Sequence, residues 1–98
     1  MDFVIYALNR PGGEGKRLTV RDAHMACVSA HATHFIYAGP LLDEGGGAKG
    51  SVFVLRFDDR AALDAYMAAD PFFGEGIFET VLVSASRQVM PAPLPVAA

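Results

Sequence analysis

Arg21-x-x-His24, early in the chain, and Ala69-Asp70-Pro71-Phe72, late in it, supply residue types that can move a proton. An imidazole titrates near neutrality, and a carboxylate bonded to one ring nitrogen fixes which tautomer meets a substrate. Asp70 has a physical reason to seek such a partner. Leu63, Tyr66 and Met67 precede it by seven, four and three residues, the spacing of an apolar helix stripe. Pro71 disfavours helical geometry at Asp70, so the helix stops there. The carboxylate then points inward at a helix C-terminus, where the macrodipole opposes it and an unpaired buried charge is costly. His24 is the candidate partner, as general base or acid, with Asp70 orienting it. The alternative is a buried pair that only joins two helices.

Other side chains extend this set. Arg21, one turn before His24, can bind an anionic substrate or lie solvated on the helix face. Ser51 can donate a hydrogen bond into a pocket, or be an ordinary hydroxyl at a strand end. Tyr6 can present its hydroxyl to the same pocket, with core packing as the alternative, and Phe72 can form a wall. His24, Cys27 and His31 share one helical stripe, but the two histidines are two turns apart, so no metal site is expected. Cys27 lacks the helix N-terminal setting that activates a thiol. Gly45-Gly46-Gly47 precede a strand and not a helix, which excludes a phosphate loop. No cofactor is called for.

These residues need elements to position them. Phe3 to Leu8 is β-branched and aromatic and reads as a strand. Asn9 to Gly15 reads as a loop, and Thr19 as the N-cap of a helix over Val20–Thr33. That puts His24 in the first or second turn, where the helix dipole disfavours imidazolium. Phe35 to Gly39 is a second strand, ended by Pro40, and 43–50 a glycine-rich hairpin connection. Ser51 to Phe57 is a third strand. Ser51, Phe53, Leu55 and Phe57 line one face of it, and Val52, Val54 and Arg56 the other. A second helix, capped by Asp58 or Asp59, runs to about Ala69. Phe72 to Gly76 reads as a short loop, and Ile77 to about Val83 as a fourth strand.

The order β-α-β-β-α-β predicts an α+β, ferredoxin-like fold with an antiparallel sheet and both helices on one face. Residues 1–90 form this domain and 91–98 a proline-rich tail. Both sheet faces carry apolar residues, so the uncovered face predicts a homodimer packed sheet against sheet. The 98 residues carry 52% hydrophobic and 19% charged residues and a net charge of −3, which fits a single globular domain. The chain has no basic cluster for nucleic acid and no apolar run long enough for a membrane. The lone Cys27 and the absence of a signal-peptide pattern predict a cytoplasmic protein.

Val4-Ile5-Tyr6-Ala7, Arg21-Asp22-Ala23-His24-Met25, Ala38-Gly39-Pro40, Gly50-Ser51 and Ala69-Asp70-Pro71-Phe72 together give the chain its resemblance to the YCII-related (YciI-like) family. The resemblance covers nearly all of the chain except the tail. It implies a dimeric α+β barrel of two ferredoxin-like halves, with a His-Asp pair in a pocket near the dimer interface. His24 and Asp70 match that pair, and Ser51 matches the small polar residue after the glycine-rich connection. Relatives include a dehydrochlorinase of a chlorinated hydroxyhydroquinone and, more broadly, muconolactone isomerases. The expectation is a small cofactor-free enzyme performing elimination or isomerisation on an anionic or phenolic substrate. The alternative is a non-catalytic dimer that binds a small ligand or a protein partner. His31-Ala32-Thr33-His34 and the connection Leu42 to Lys49 depart from the family pattern.

Overall fold

The computed structural model describes residues 1–93. Strand β1 spans Asp2–Asn9, β2 Phe35–Leu42, β3 Ala48–Arg56 and β4 Phe78–Ser86. Helices α1 (Gly13–Ala30), α2 (Arg60–Ala69) and the four-residue α3 (Pro71–Gly74) lie between them, and a 3-10 turn over Ala32–His34 leads into β2. The sheet order is β2-β3-β1-β4, with every neighbouring pair antiparallel. This is the ferredoxin-like α+β arrangement. Among the described residues, no helix is long and apolar enough to cross a membrane. Pro91 and Pro93 follow β4 outside any helix or strand. Pro95 and the rest of the proposed tail lie outside the described residues.

Period-two alternation sorts the two sheet faces. Phe3, Ile5 and Ala7 of β1 and Phe53 and Leu55 of β3 are buried against the helix layer, where Leu63 and Tyr66 of α2 and His24 of α1 meet them. The intervening residues point the other way. Tyr6 pairs with Val52 on one side and Leu82 on the other, and Val4 with Val54 and Ser84. Tyr6 (39% exposed), Tyr37 (56%) and Leu82 (59%) leave that outer face apolar and open. Gly50 is needed where β3 passes β1, because a Cβ there would collide with the Ala7 carbonyl.

The start of α1, the end of β2 and the segment after Asp70 differ from the sequence reading, whereas the cap of α2 is one of its two candidates. Helix α1 starts at Gly13, seven residues before Val20. Gly12, at φ 81°, makes the left-handed entry that only glycine adopts easily, so no side-chain cap is required. Thr19 sits inside the helix and donates its hydroxyl hydrogen back to the Gly15 carbonyl, 3.2 Å away. Pro40 does not end β2, because β2 is an edge strand and a missing N–H on its outer side breaks no ladder bond. Phe72 to Gly74, read as part of a loop over 72–76, belong to α3, with Pro71 at its first position. The cap of α2 is Asp59, whose carboxylate accepts from the Ala62 N–H at 2.9 Å.

One ion pair ties the sheet's end together. Asp2 accepts from Arg56 Nε at 2.6 Å and Nη2 at 3.1 Å, and from the Gln88 N–H at 3.3 Å. The Arg56 hydrogen bonds hold the Asp2 carboxyl below its ordinary range. A carboxylate with a lowered folded-state pKa stabilises the fold above its unfolded value, and this is lost as pH falls through the lowered value. Asp2→Asn should therefore lower the melting temperature near neutrality, with the gap to wild type closing in acid. A gap that stays constant from neutral to acid pH overturns this assignment.

Candidate functional site

The site is assembled around a fully buried carboxylate. Asp70 ends α2 with extended geometry (φ −86°, ψ 120°) and at the same time caps the N-terminus of α3, where it accepts the Phe72 N–H at 3.0 Å. The helix dipole that opposes a charge at the end of α2 is thus answered by a backbone donor opening α3. Tyr66, one turn back on α2, donates its hydroxyl hydrogen to Asp70 Oδ2 at 2.6 Å. His24 Nδ1 lies 2.7 Å from Oδ1. Three donors thus converge on one group, the hydrogen-bonding pattern of an ionised carboxylate. Burial and the Asp70 charge push the Tyr66 hydroxyl far above the ordinary tyrosine range, so it remains a donor at any physiological pH.

With Nδ1–H donating to Asp70, His24 keeps its lone pair on Nε2. That nitrogen has no hydrogen-bond partner among the described residues, and the His24 side chain, 9% exposed, borders a cavity. The ring is stacked on Phe72, with centroids 3.6 Å apart and planes 1° from parallel. It borders a cavity of about 420 Å³ whose walls include Phe53, Phe72, Met25, Val28 and Pro40. Ser51, Arg21, Arg17 and Glu14 bring polar groups to it. A largely apolar cavity with a few convergent polar groups is the usual form of a small-molecule site, and this volume suits a single-ring compound.

Of the residues singled out in the sequence, His24, Ser51, Arg21 and Phe72 border this cavity, and Asp70 is bonded to His24 behind it. Arg21 borders the cavity from an exposed position and has no hydrogen-bond partner among the described residues. Tyr6 is a correction. Its neighbours Ile5 and Ala7 face the helices, so strand alternation turns Tyr6 to the outer face, away from this cavity. The position of His24 within α1 is a second correction. The helix begins at Gly13, so His24 is mid-helix, where the dipole of a terminal turn does not reach.

Sequence reasoning missed Arg17. Its Nη1 donates to Asn9 Oδ1 (3.2 Å), the Gly50 carbonyl (3.1 Å) and Ser51 Oγ (3.0 Å), and its Cζ lies 4.9 Å from the Phe72 ring centroid. The available signal was spacing, since Arg17, Arg21 and His24 fall at i, i+4 and i+7 of one helix. Starting the helix at Val20 hid it.

The remaining histidines lie elsewhere. His31 Nδ1 is bonded to the Cys27 carbonyl at 2.8 Å, and His34 Nδ1 to the Arg56 carbonyl at 2.8 Å. Among the described residues, no three metal-ligating side chains converge. Burial raises the Cys27 thiol above its ordinary range, which disfavours the thiolate.

The chain belongs to the YCII-related domain family, whose model matches residues 1–87. It is 33% identical over 97 residues to Protein YciI of Escherichia coli, covering 91% of this chain and 99% of that one. An uncharacterized protein of Haemophilus influenzae is 30% identical over the same shares. Among solved structures, the fold is similar to 5-chloro-2-hydroxyhydroquinone dehydrochlorinase from Burkholderia phenoliruptrix in complex with 2,5-dihydroxybenzoquinone. The TM-score is 0.84 at 26% identity, over 91% of this chain and 96% of that one. Protein Atu4242 from Agrobacterium tumefaciens shares the fold at a TM-score of 0.58 and 19% identity, over 97% of this chain and 100% of that one.

The Asp70 cluster makes a stability prediction. Tyr66→Phe deletes one donor to a buried charge and should cost about 1.5–3 kcal/mol. Asp70→Ala leaves His24, Tyr66 and the start of α3 unanswered and should cost more, roughly 3–5 kcal/mol. Thermal or urea unfolding measures both, and a Tyr66→Phe protein as stable as wild type counts against the cluster.

Proposed function

We propose that this chain is an enzyme that transfers a proton on a small anionic or phenolic substrate, with His24 as the general base and Asp70 orienting it. The observation that carries the reading is a His24 ring held at Nδ1 by Asp70, with Nε2 unpartnered among the described residues, beside a small, mostly apolar cavity. Nε2 takes a proton from carbon or oxygen of the substrate, and Asp70 stabilises the imidazolium that forms. The electron pair left behind moves into the adjacent π system. In an elimination it expels an anionic leaving group such as chloride. In an isomerisation the same proton returns to a different atom of the substrate. Neither route needs an electron carrier. Ser51 serves the substrate's oxygens, and Arg21, exposed at the cavity's edge, its negative charge. The likeness to a dehydrochlorinase solved with a ring dione supports a substrate of that size and kind. We place the protein in the cytoplasm, where the single thiol of Cys27 stays reduced.

The contacts of Asp70 with all three helices favour a second reading, in which the pair is structural and the chain a ligand-binding module. Turnover of a chlorinated hydroxyhydroquinone separates the two. His24→Ala should lower the rate by roughly 10²–10⁴-fold with the circular-dichroism spectrum unchanged. Histidine ring signals in NMR give a second readout. A His24 signal that shifts both with Asp70→Asn and with added 2,5-dihydroxybenzoquinone supports the dyad, and one that ignores both leaves the binding module.

The homodimer belongs to the same proposal. The open outer face of the sheet, with Tyr6, Tyr37, Val52, Val54 and Leu82, is too apolar to remain in water comfortably, and a second sheet would cover it. Light scattering at micromolar concentration should give twice the chain mass, and Tyr6→Glu should shift it toward the monomer. A wild-type monomer sinks the idea.

A further inference from the structure

A half-buried guanidinium with no carboxylate to neutralise it is an unfinished ion pair. Each of the three acceptors on Arg17 Nη1 is neutral: the Asn9 amide oxygen, the Gly50 carbonyl and the Ser51 hydroxyl oxygen. Among the described residues, none of the ion pairs includes Arg17. Glu14, one turn earlier on α1, favours its charge from an exposed position without bonding to it, while burial works against the charge. Taking a cation half out of water without a bonded counter-ion is unfavourable.

The geometry shows how the charge is presented. Three acceptors on a single nitrogen hold the guanidinium plane in place, and the Phe72 ring, which also stacks on His24, lies against it. Nε and Nη2 have no partner among the described residues. A planar fork with two free N–H edges matches the paired oxygens of a carboxylate, or the adjacent oxygens of an ionised hydroxyquinone. Ser51 is part of the device. Its oxygen accepts from Arg17, so its own hydrogen remains free to donate into the cavity.

We infer that Arg17 is the anchor for an oxyanion on a planar, single-ring substrate, and that Ser51, polarised by Arg17, supplies a second hydrogen bond to that oxygen. The inference rests on the proton-transfer reading for its place beside His24. It makes Arg17 a specificity-determining residue that selects ionised ligands over neutral ones of the same shape. Asn9 is a positioning residue, acting through Arg17. Arg21, without fixed partners, is left the looser role of drawing anions toward the cavity mouth.

Equilibrium binding by calorimetry tests this with two matched pairs of probes. One pair is 4-hydroxybenzoate and its neutral amide, and the other is ionised 2,5-dihydroxybenzoquinone and neutral hydroquinone. Wild type should favour the ionised member of at least one pair by about tenfold or more. The pair that shows it identifies the oxyanion as carboxylate or enolate. Arg17→Gln, which keeps a donor for Ser51 but no charge, should erase the preference, and so should Arg17→Met. A preference that survives both changes, or is absent from wild type, overturns the inference. If neither variant folds, Arg17→Lys decides, because it keeps the charge without the fork. Weakened anion binding in it upholds the anchor, and unchanged binding overturns it. The readout needs no turnover. A chain inactive on every substrate that still discriminates through Arg17 upholds the anchor and sinks only the proton-transfer reading.

Discussion

Much of the helix layer is organised by the need to satisfy one buried charge. Asp70 is fully buried, and its neighbours on α2 and α3 are apolar, so the carboxylate is tolerable only if donors surround it. Those donors come from all three helices: His24 from α1, Tyr66 from α2 and the Phe72 amide from α3. The arrangement is directional where hydrophobic packing is not. Phe53, Leu55, Leu63 and Phe57 would accept many relative positions of the helices, whereas hydrogen bonds of 2.6 to 3.0 Å accept few.

Arg17 is the opposite case. Asp70 has its charge answered within the chain, whereas Arg17 has its geometry answered but its charge left over. One charge is closed and one is open, and Phe72 lies between these roles. Its amide caps the carboxylate's side, its ring stacks on His24, and the guanidinium lies against the same ring. A cation in an apolar cavity acts in a low effective dielectric, so it attracts an anion more strongly than it would at the surface.

What could be read from the sequence follows from how local each signal is. Asp70-Pro71 announces a helix end, and the i−4 and i−7 residues fix its inward direction, so the buried carboxylate was legible without a structure. His24 was legible through the same stripe logic and the family resemblance. The alternation of β3 sorted Ser51 and Phe53 from Val52 correctly. The failures have specific causes. Gly12 and Gly13 look like loop residues, yet here glycine enters the helix at positive φ, and Gly13 lies where a Cβ would press on the Ile77 carbonyl. Misplacing that start removed Arg17 from the helix and put His24 near a dipole that does not reach it. Tyr6 was misassigned because a tyrosine in a strand suits either sheet face, and only its register with Val52 and Leu82 shows which.

The double use of Asp70 constrains the chemistry as well as the fold. A carboxylate held by a tyrosine hydroxyl and a backbone amide has part of its charge spent before it meets the imidazole. Its strength lies in direction. Both oxygens are already committed, so the carboxylate cannot rotate to follow His24, and the ring is held between the Oδ1 contact and the Phe72 stack. In the proposed proton transfer, a base fixed in tautomer and plane meets its substrate without further ordering. Under the proposed reading, an oxyanion held at the Arg17 guanidinium would add the charge stabilisation that Asp70 supplies only in part.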